Sequence, residues 1–241
     1  MVLILFSQLT EKDKSNAIKK LISDSTPDQD FFLLVILSSL MAALGLIINS
    51  VEVIIGSMLI APILSPILGL SLGVIMADFK LISRSSYAII KSLAYGIAGA
   101  ALVTLLFNSS YQNTDAIISR TDPSIIYFLI AFIAGLAASF ALVMPQISPT
   151  LPGVAISVAL IPPIAVTGIG IARFDWHIIS TSFLLFAINA AGIIFASMII
   201  FSLMNLSIKK WVVASAIKKE EEIIEKEVKK AEKLAKENKA K

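Results

Sequence analysis

The chain contains no cysteine and a single histidine among its 241 residues. Without cysteine there is no disulfide framework, no thiolate metal site and no thiol nucleophile. The lone His177 excludes a multi-histidine metal centre within one chain. Charge is nearly as scarce, at 15 % of residues, against roughly 25 % in soluble globular proteins. It is also unevenly placed. Of the 37 Asp, Glu, Lys and Arg residues, ten fall within 31–207, and the other 27 crowd into 1–30 and 208–241. A soluble domain cannot keep so long an apolar stretch from water. The net charge is only +3, and the basic residues flank apolar runs. No nucleic-acid partner is expected. The apolar runs hold no Ser-Lys, paired-Asp or His-based constellation and no nucleotide-binding loop. Hence no enzymatic activity, cofactor or metal is expected.

What is present is hydrophobic length. Six segments, 31–49, 53–76, 87–107, 125–144, 153–172 and 179–204, approach the roughly 20 residues that a membrane-crossing helix needs. The expected fold is an all-α integral membrane protein with six transmembrane helices in residues 31–207. A cytoplasmic segment, 1–30, precedes them, and a Lys/Glu-rich amphipathic helix, 208–241, follows. The run Val2–Phe6 is too short to span and has no basic residues before it, so it is not read as a signal peptide. Residues 1–22 are expected to form a surface helix resting Ile18, Leu21 and Ile22 on membrane or protein. Its start is marked by Thr10 and Asp13, spaced as in a capping box.

Lys and Arg near the span ends divide eleven to two, with only Arg120 and Arg173 on the minority side. That bias places both termini in the cytoplasm of a multi-pass cell-membrane protein. Asn108-Ser109-Ser110 fits a glycosylation sequon on the outer side, and Trp211 beside Lys209 and Lys210 is an interfacial anchor. The tail reads either as a solvated helix or as an oligomerisation seam. The expected partners are membrane lipids, further copies of the chain and a small solute or ion.

The two halves resemble one another. Residues 53–63 (VIIGSMLIAPI) and 154–164 (VAISVALIPPI) share six identities at an offset of 101, including Pro62 with Pro163. Residues 78–85 (DFKLISRS) and 175–182 (DWHIISTS) share four at an offset of 97, including Asp78 with Asp175. Lipid exposure does not account for shared polar residues. With three spans per half, the second copy must insert upside down, giving inverted repeats over 31–107 and 125–204.

The first block, Asn49-Ser50 and Val53 through Pro62 to Pro66-Ile67-Leu68-Gly69-Leu70, resembles a signature of the hydrophobic family known as domain of unknown function 389. The second, Leu151-Pro152-Gly153-Val154-Ala155-Ile156 through Pro162-Pro163 to Gly168, is similar to that family's second signature. The resemblance covers about 31–204 and implies a membrane fold without an established activity. Some members carry a sizeable soluble amino-terminal region, against thirty residues before the first span here. The acid at Glu52 is not part of the resemblance.

Proline within a helix removes one backbone donor and frees the carbonyl four residues earlier. Pro62 and Pro66 in span two, and Pro162 and Pro163 in span five, therefore predict two broken helices. The carbonyls of Met58 and Val158 are among those freed, with Ser57, Ser65, Ser157, Thr167 and Asn189 as nearby polar groups. Such breaks are either packing kinks satisfied by a neighbouring hydroxyl or a binding and conduction site near the bilayer midplane. Asn189 cannot satisfy its amide on its own helix and is expected to bond across helices or line a cavity. Glu52 is either a pathway acid or a cap on the first turn of span two. The expected function is transport of a small solute or ion through the paired breaks. The alternative is a non-transporting oligomeric scaffold or lipid-binding module.

Overall fold

Several helices start at a side-chain cap. In this computed structural model, which describes residues 10–25, 28–107, 113–144, 150–204, 215–218, 222, 223 and 226, and the backbone alone at 11 and 150–158, Thr10 opens α1 (Glu11–Asp24). Its hydroxyl accepts from the Asp13 N–H, while Asp13 receives the Thr10 N–H, so the capping box is complete. Helices α2 (Gln29–Ile47), α3 (Val51–Ile60) and α4 (Leu64–Met76) follow, then α5 (Phe79–Phe107) and a single turn, α6 (Asp115–Ile118). The last three are α7 (Ile125–Val143), α8 (Thr150–Ala172) and α9 (Trp176–Leu203). There is no strand among the described residues. The tail is described at a few positions, of which 215–218 are helical. Most of the expected tail helix, with Trp211 and the sequon, lies outside the described residues.

Three of the corners between helices have the same construction. Residues Asn49, Ala77 and Phe174 adopt left-handed backbone, with φ of 57°, 52° and 55°. The next N–H in each case, from Ser50, Asp78 or Asp175, donates back to the carbonyl of Gly45, Gly73 or Gly170 at 2.9–3.0 Å. These are Schellman closures, which satisfy carbonyls that the helix end leaves without donors. The same Ser or Asp side chain then caps the following helix, accepting from Val53, Leu81 or Ile178. The glycine is needed because the returning helix passes close: a Cβ at Gly45, Gly73 or Gly170 would lie 3.0 Å from the N–H nitrogen of Ile54, Ile82 or Ile179.

The four helices α4, α5, α8 and α9 each pack on two of the others, forming a closed ring. Helix α2 flanks it against α5 and α8, and α7 flanks it against α9 and α8. Helix α1 lies across α4 and α7 and buries Ile18, Leu21 and Ile22 against protein. Against the six spans expected, four helices are long and apolar enough to cross a membrane: α2, α5, α7 and α9. The bent pair α3–α4 makes a fifth if it counts as one span. In α8 the described side chains, Ala159–Ala172, form a shorter apolar helix. Large apolar side chains such as Leu105, Ile125 and Ile133 face outward. A helical membrane protein has this composition and this outward apolar surface.

Candidate functional site

The feature that departs most from regular structure is the junction of α3 and α4. Helix α3 ends at Ile60, Ala61 is extended (φ −75°, ψ 122°), and α4 restarts at Leu64 after a bend of 54°. Pro62 has no N–H, so the Met58 carbonyl loses its helical donor. The neighbouring Ser57 carbonyl accepts instead from the Ser38 hydroxyl of α2, at 2.7 Å. The Ser57 hydroxyl donates to the Ile54 carbonyl at 2.6 Å, and the Met58 side chain is buried. Pro66 lies in the first turn of α4, where its missing N–H would have had no helical partner. The Ser65 carbonyl lies 2.8 Å from the Ser25 hydroxyl at the end of α1.

An open cleft of about 460 Å³ reaches this junction, lined by Asp24, Asp28, Asp30, Phe31, Pro62 and Ser65 among others. A second cavity of about 210 Å³ shares Asp24 and Ser65 and extends to Lys20 and Leu68. Asp28 also caps α2, accepting from the Phe31 N–H at 2.7 Å. The cleft at the break is thus lined by carboxylates from the polar segment that precedes the first apolar run. The signal was the Asp24–Asp30 stretch, with three acids directly before a long apolar run.

The second proline pair behaves differently and does not make the matching break that its residues predict. Pro162 and Pro163 lie inside α8, which continues unbroken from Thr150 to Ala172. The carbonyl that Pro163 frees, that of Ala159, accepts from Asn189 Nδ2 of α9 at 2.7 Å. Asn189 is 2 % exposed, and its Oδ1 has no partner among the described residues. Thr167 Oγ1 donates to the Pro163 carbonyl at 2.8 Å and lies 2.9 Å from the Ser182 hydroxyl. Ser157 and Val158 belong to the α8 backbone, and their side chains lie outside the described residues.

Helix α3 packs on α8, so the two proline segments occupy neighbouring helices. Glu52 does not join them. It sits exposed in the first turn of α3, bonded to the Ser50 hydroxyl at 2.7 Å, at the end opposite Pro62.

The family described as domain of unknown function 389 matches residues 58–195, and the chain belongs to that family. An uncharacterised protein of Methanocaldococcus jannaschii is 34 % identical over 179 residues, which cover 74 % of this chain. The chain spans about half the length of that curated relative, 55 % of it. No solved structure matches.

Proposed function

We propose that the protein moves a small ion or polar solute across a membrane, using the α3–α4 break as its binding point. One observation carries this reading: the break is bent by 54° and opens on a cleft of about 460 Å³ lined by three carboxylates. Backbone breaks are tolerated at membrane depth only where protein or a wet cavity meets them. Freed carbonyls with carboxylates nearby offer oxygen to a cation or acceptors to a polar solute. In this reading α2, α3–α4, α5, α7, α8 and α9 are six spans, with both termini in the cytoplasm. They form two inverted repeats, supported by the matched corners at Asp78 and Asp175. The native absence of cysteine permits a clean topology test. Single Cys replacements at Ser110 and Ser215 should label from opposite sides.

Flux decides the function. Purified protein in liposomes should pass at least one member of a panel of alkali cations, protons and small neutral solutes faster than empty liposomes. Pro62→Ala, which restores the donor to Met58, should abolish that flux without loss of folded protein. Wild-type protein indistinguishable from empty liposomes across the panel would overturn the proposal. A second reading, a non-transporting homo-oligomeric scaffold or lipid-binding module, draws on the close contact of α8 with α5. There a Cβ added at Gly168 would lie 2.6 Å from both Ala100 Cβ and the Ile97 carbonyl oxygen. Deleting 215–241 should leave the membrane fold intact under either reading and tests whether the tail holds the copies together.

A further inference from the structure

On α5, Lys80, Arg84, Tyr87, Lys91 and Tyr95 are spaced four, three, four and four residues apart. At 100° per residue they fall on one stripe about 80° wide. Lys91 stands apart from the other two cations because it lies twelve residues into the helix, beside Ile90, which is 66 % exposed. Its ammonium sits 4.2 Å from the centre of the Phe32 ring, and 5.5 and 5.6 Å from those of Tyr87 and Tyr95. Phe32 is itself braced edge-on by Phe31 and Tyr95. Among the described residues Lys91 makes no ion pair, and the hydroxyls of Tyr87 and Tyr95 have no hydrogen-bond partner.

Three rings hold an ammonium in place but do not neutralise it. Phe32 belongs to the first turn of α2, so the ammonium is drawn back towards the end of the bundle where α2 and α5 begin. A lysine that reaches the interface from an apolar helix face, flanked by tyrosines, stands at headgroup depth. We infer that Lys91, Tyr87 and Tyr95 form a site for the phosphate of an anionic phospholipid in the adjoining leaflet. The ammonium supplies the charge and the tyrosine hydroxyls supply donors. Arg84 and Lys80, further along the same stripe, extend the positive field towards the headgroup layer. This inference rests on the membrane reading of the chain and is independent of transport.

The test is lipid binding by native mass spectrometry on the full chain in detergent, comparing phosphatidylglycerol with phosphatidylcholine. Wild-type protein should prefer phosphatidylglycerol. Lys91→Gln should bind it about fivefold more weakly, the worth of one lysine near an anionic surface, and Lys91→Arg should retain it. Lys19→Gln, on the exposed side of α1, should change nothing. No wild-type preference, or equal losses at Lys19 and Lys91, would overturn the site. So would phosphatidylglycerol binding undisturbed in Lys91→Gln. If Lys91→Gln misfolds, Tyr87→Phe with Tyr95→Phe removes the donors and keeps the rings. A retained preference in that pair would remove the tyrosines from the site.

Discussion

Two proline-bearing segments, one chemical lesion and two outcomes: at Pro62 the helix stops and turns, and at Pro163 it continues. Each proline deprives one carbonyl of its donor, Met58 in the first case and Ala159 in the second. In α8 the loss is made good from outside, by Asn189 Nδ2 at 2.7 Å. At the offset of 97 that relates Asp78 to Asp175, the counterpart of Asn189 is Ser92. Ser92 is buried, and its hydroxyl has no partner among the described residues. The hydroxyl that does reach the first break, that of Ser38, serves Ser57 instead of Met58. A proline therefore does not by itself determine a break. What distinguishes the two sites among the described residues is the side-chain donor: Asn189 reaches the Ala159 carbonyl, and no side chain reaches that of Met58.

Packing sharpens the contrast and gives the largest expected effect. Gly168 in α8 lies directly on the backbone of α5, whereas a Cβ at Gly56 in α3 would meet only the flexible end of Met41, at 2.9 Å. Gly168→Ala should therefore cost about 3 kcal/mol or more, because the α5 backbone cannot step aside. Gly56→Ala should be neutral or stabilising by up to about 1 kcal/mol, the helix-propensity gain. Thermal unfolding in detergent measures both. Equal losses would mean that the two segments are packed alike.

Next in size is the Asn189 bond. Asn189→Leu leaves the Ala159 carbonyl buried without a partner, at a cost of about 1–3 kcal/mol. Adding Pro163→Ala should recover most of that loss, since alanine restores the helical N–H. A double-mutant cycle should then show a coupling of at least about 1 kcal/mol. Additive losses would show that Asn189 acts by packing alone. On the other side, Ser38→Ala should cost about 1 kcal/mol by releasing the Ser57 carbonyl.

These contrasts also mark what could be read from residues alone. The apolar runs locate α2, α7 and α9 to within about three residues of their ends, because twenty apolar residues in series leave little choice but a helix. The run 87–107 misses the first eight residues of α5, where Lys80 and Arg84 break the apolar pattern. The capping box at Thr10 and the shared acids at Asp78 and Asp175 are local signals, and local geometry realised them. Pro62 and Pro163 look equivalent in sequence because the difference lies on other helices, in Asn189 and Ser38. The sequence marks Asn189 as an amide its own helix cannot satisfy, and only the fold brings it to the Ala159 carbonyl. The carboxylates at the cleft escaped for the opposite reason. A polar flank reads as solvated until the chain folds it back beside the break.

The smallest effect tests whether the two halves are built alike where they do look alike. Asp78 and Asp175 each receive one backbone N–H, from Leu81 at 3.0 Å and Ile178 at 3.1 Å, after corners of the same Schellman form. Replacing an aspartate at such a cap with alanine costs about 1 kcal/mol. Because donor, distance and preceding turn agree, Asp78→Ala and Asp175→Ala should lose the same amount to within about 0.3 kcal/mol, the limit at which independent sites are usually compared. The neighbouring charges differ, Lys80 following one aspartate and Arg173 preceding the other. High salt screens exposed charges, so the losses should converge as salt rises. A difference that persists in high salt would make the corners unlike despite their shared residues. The repeat would then rest on the proline blocks alone, which have folded in two different ways.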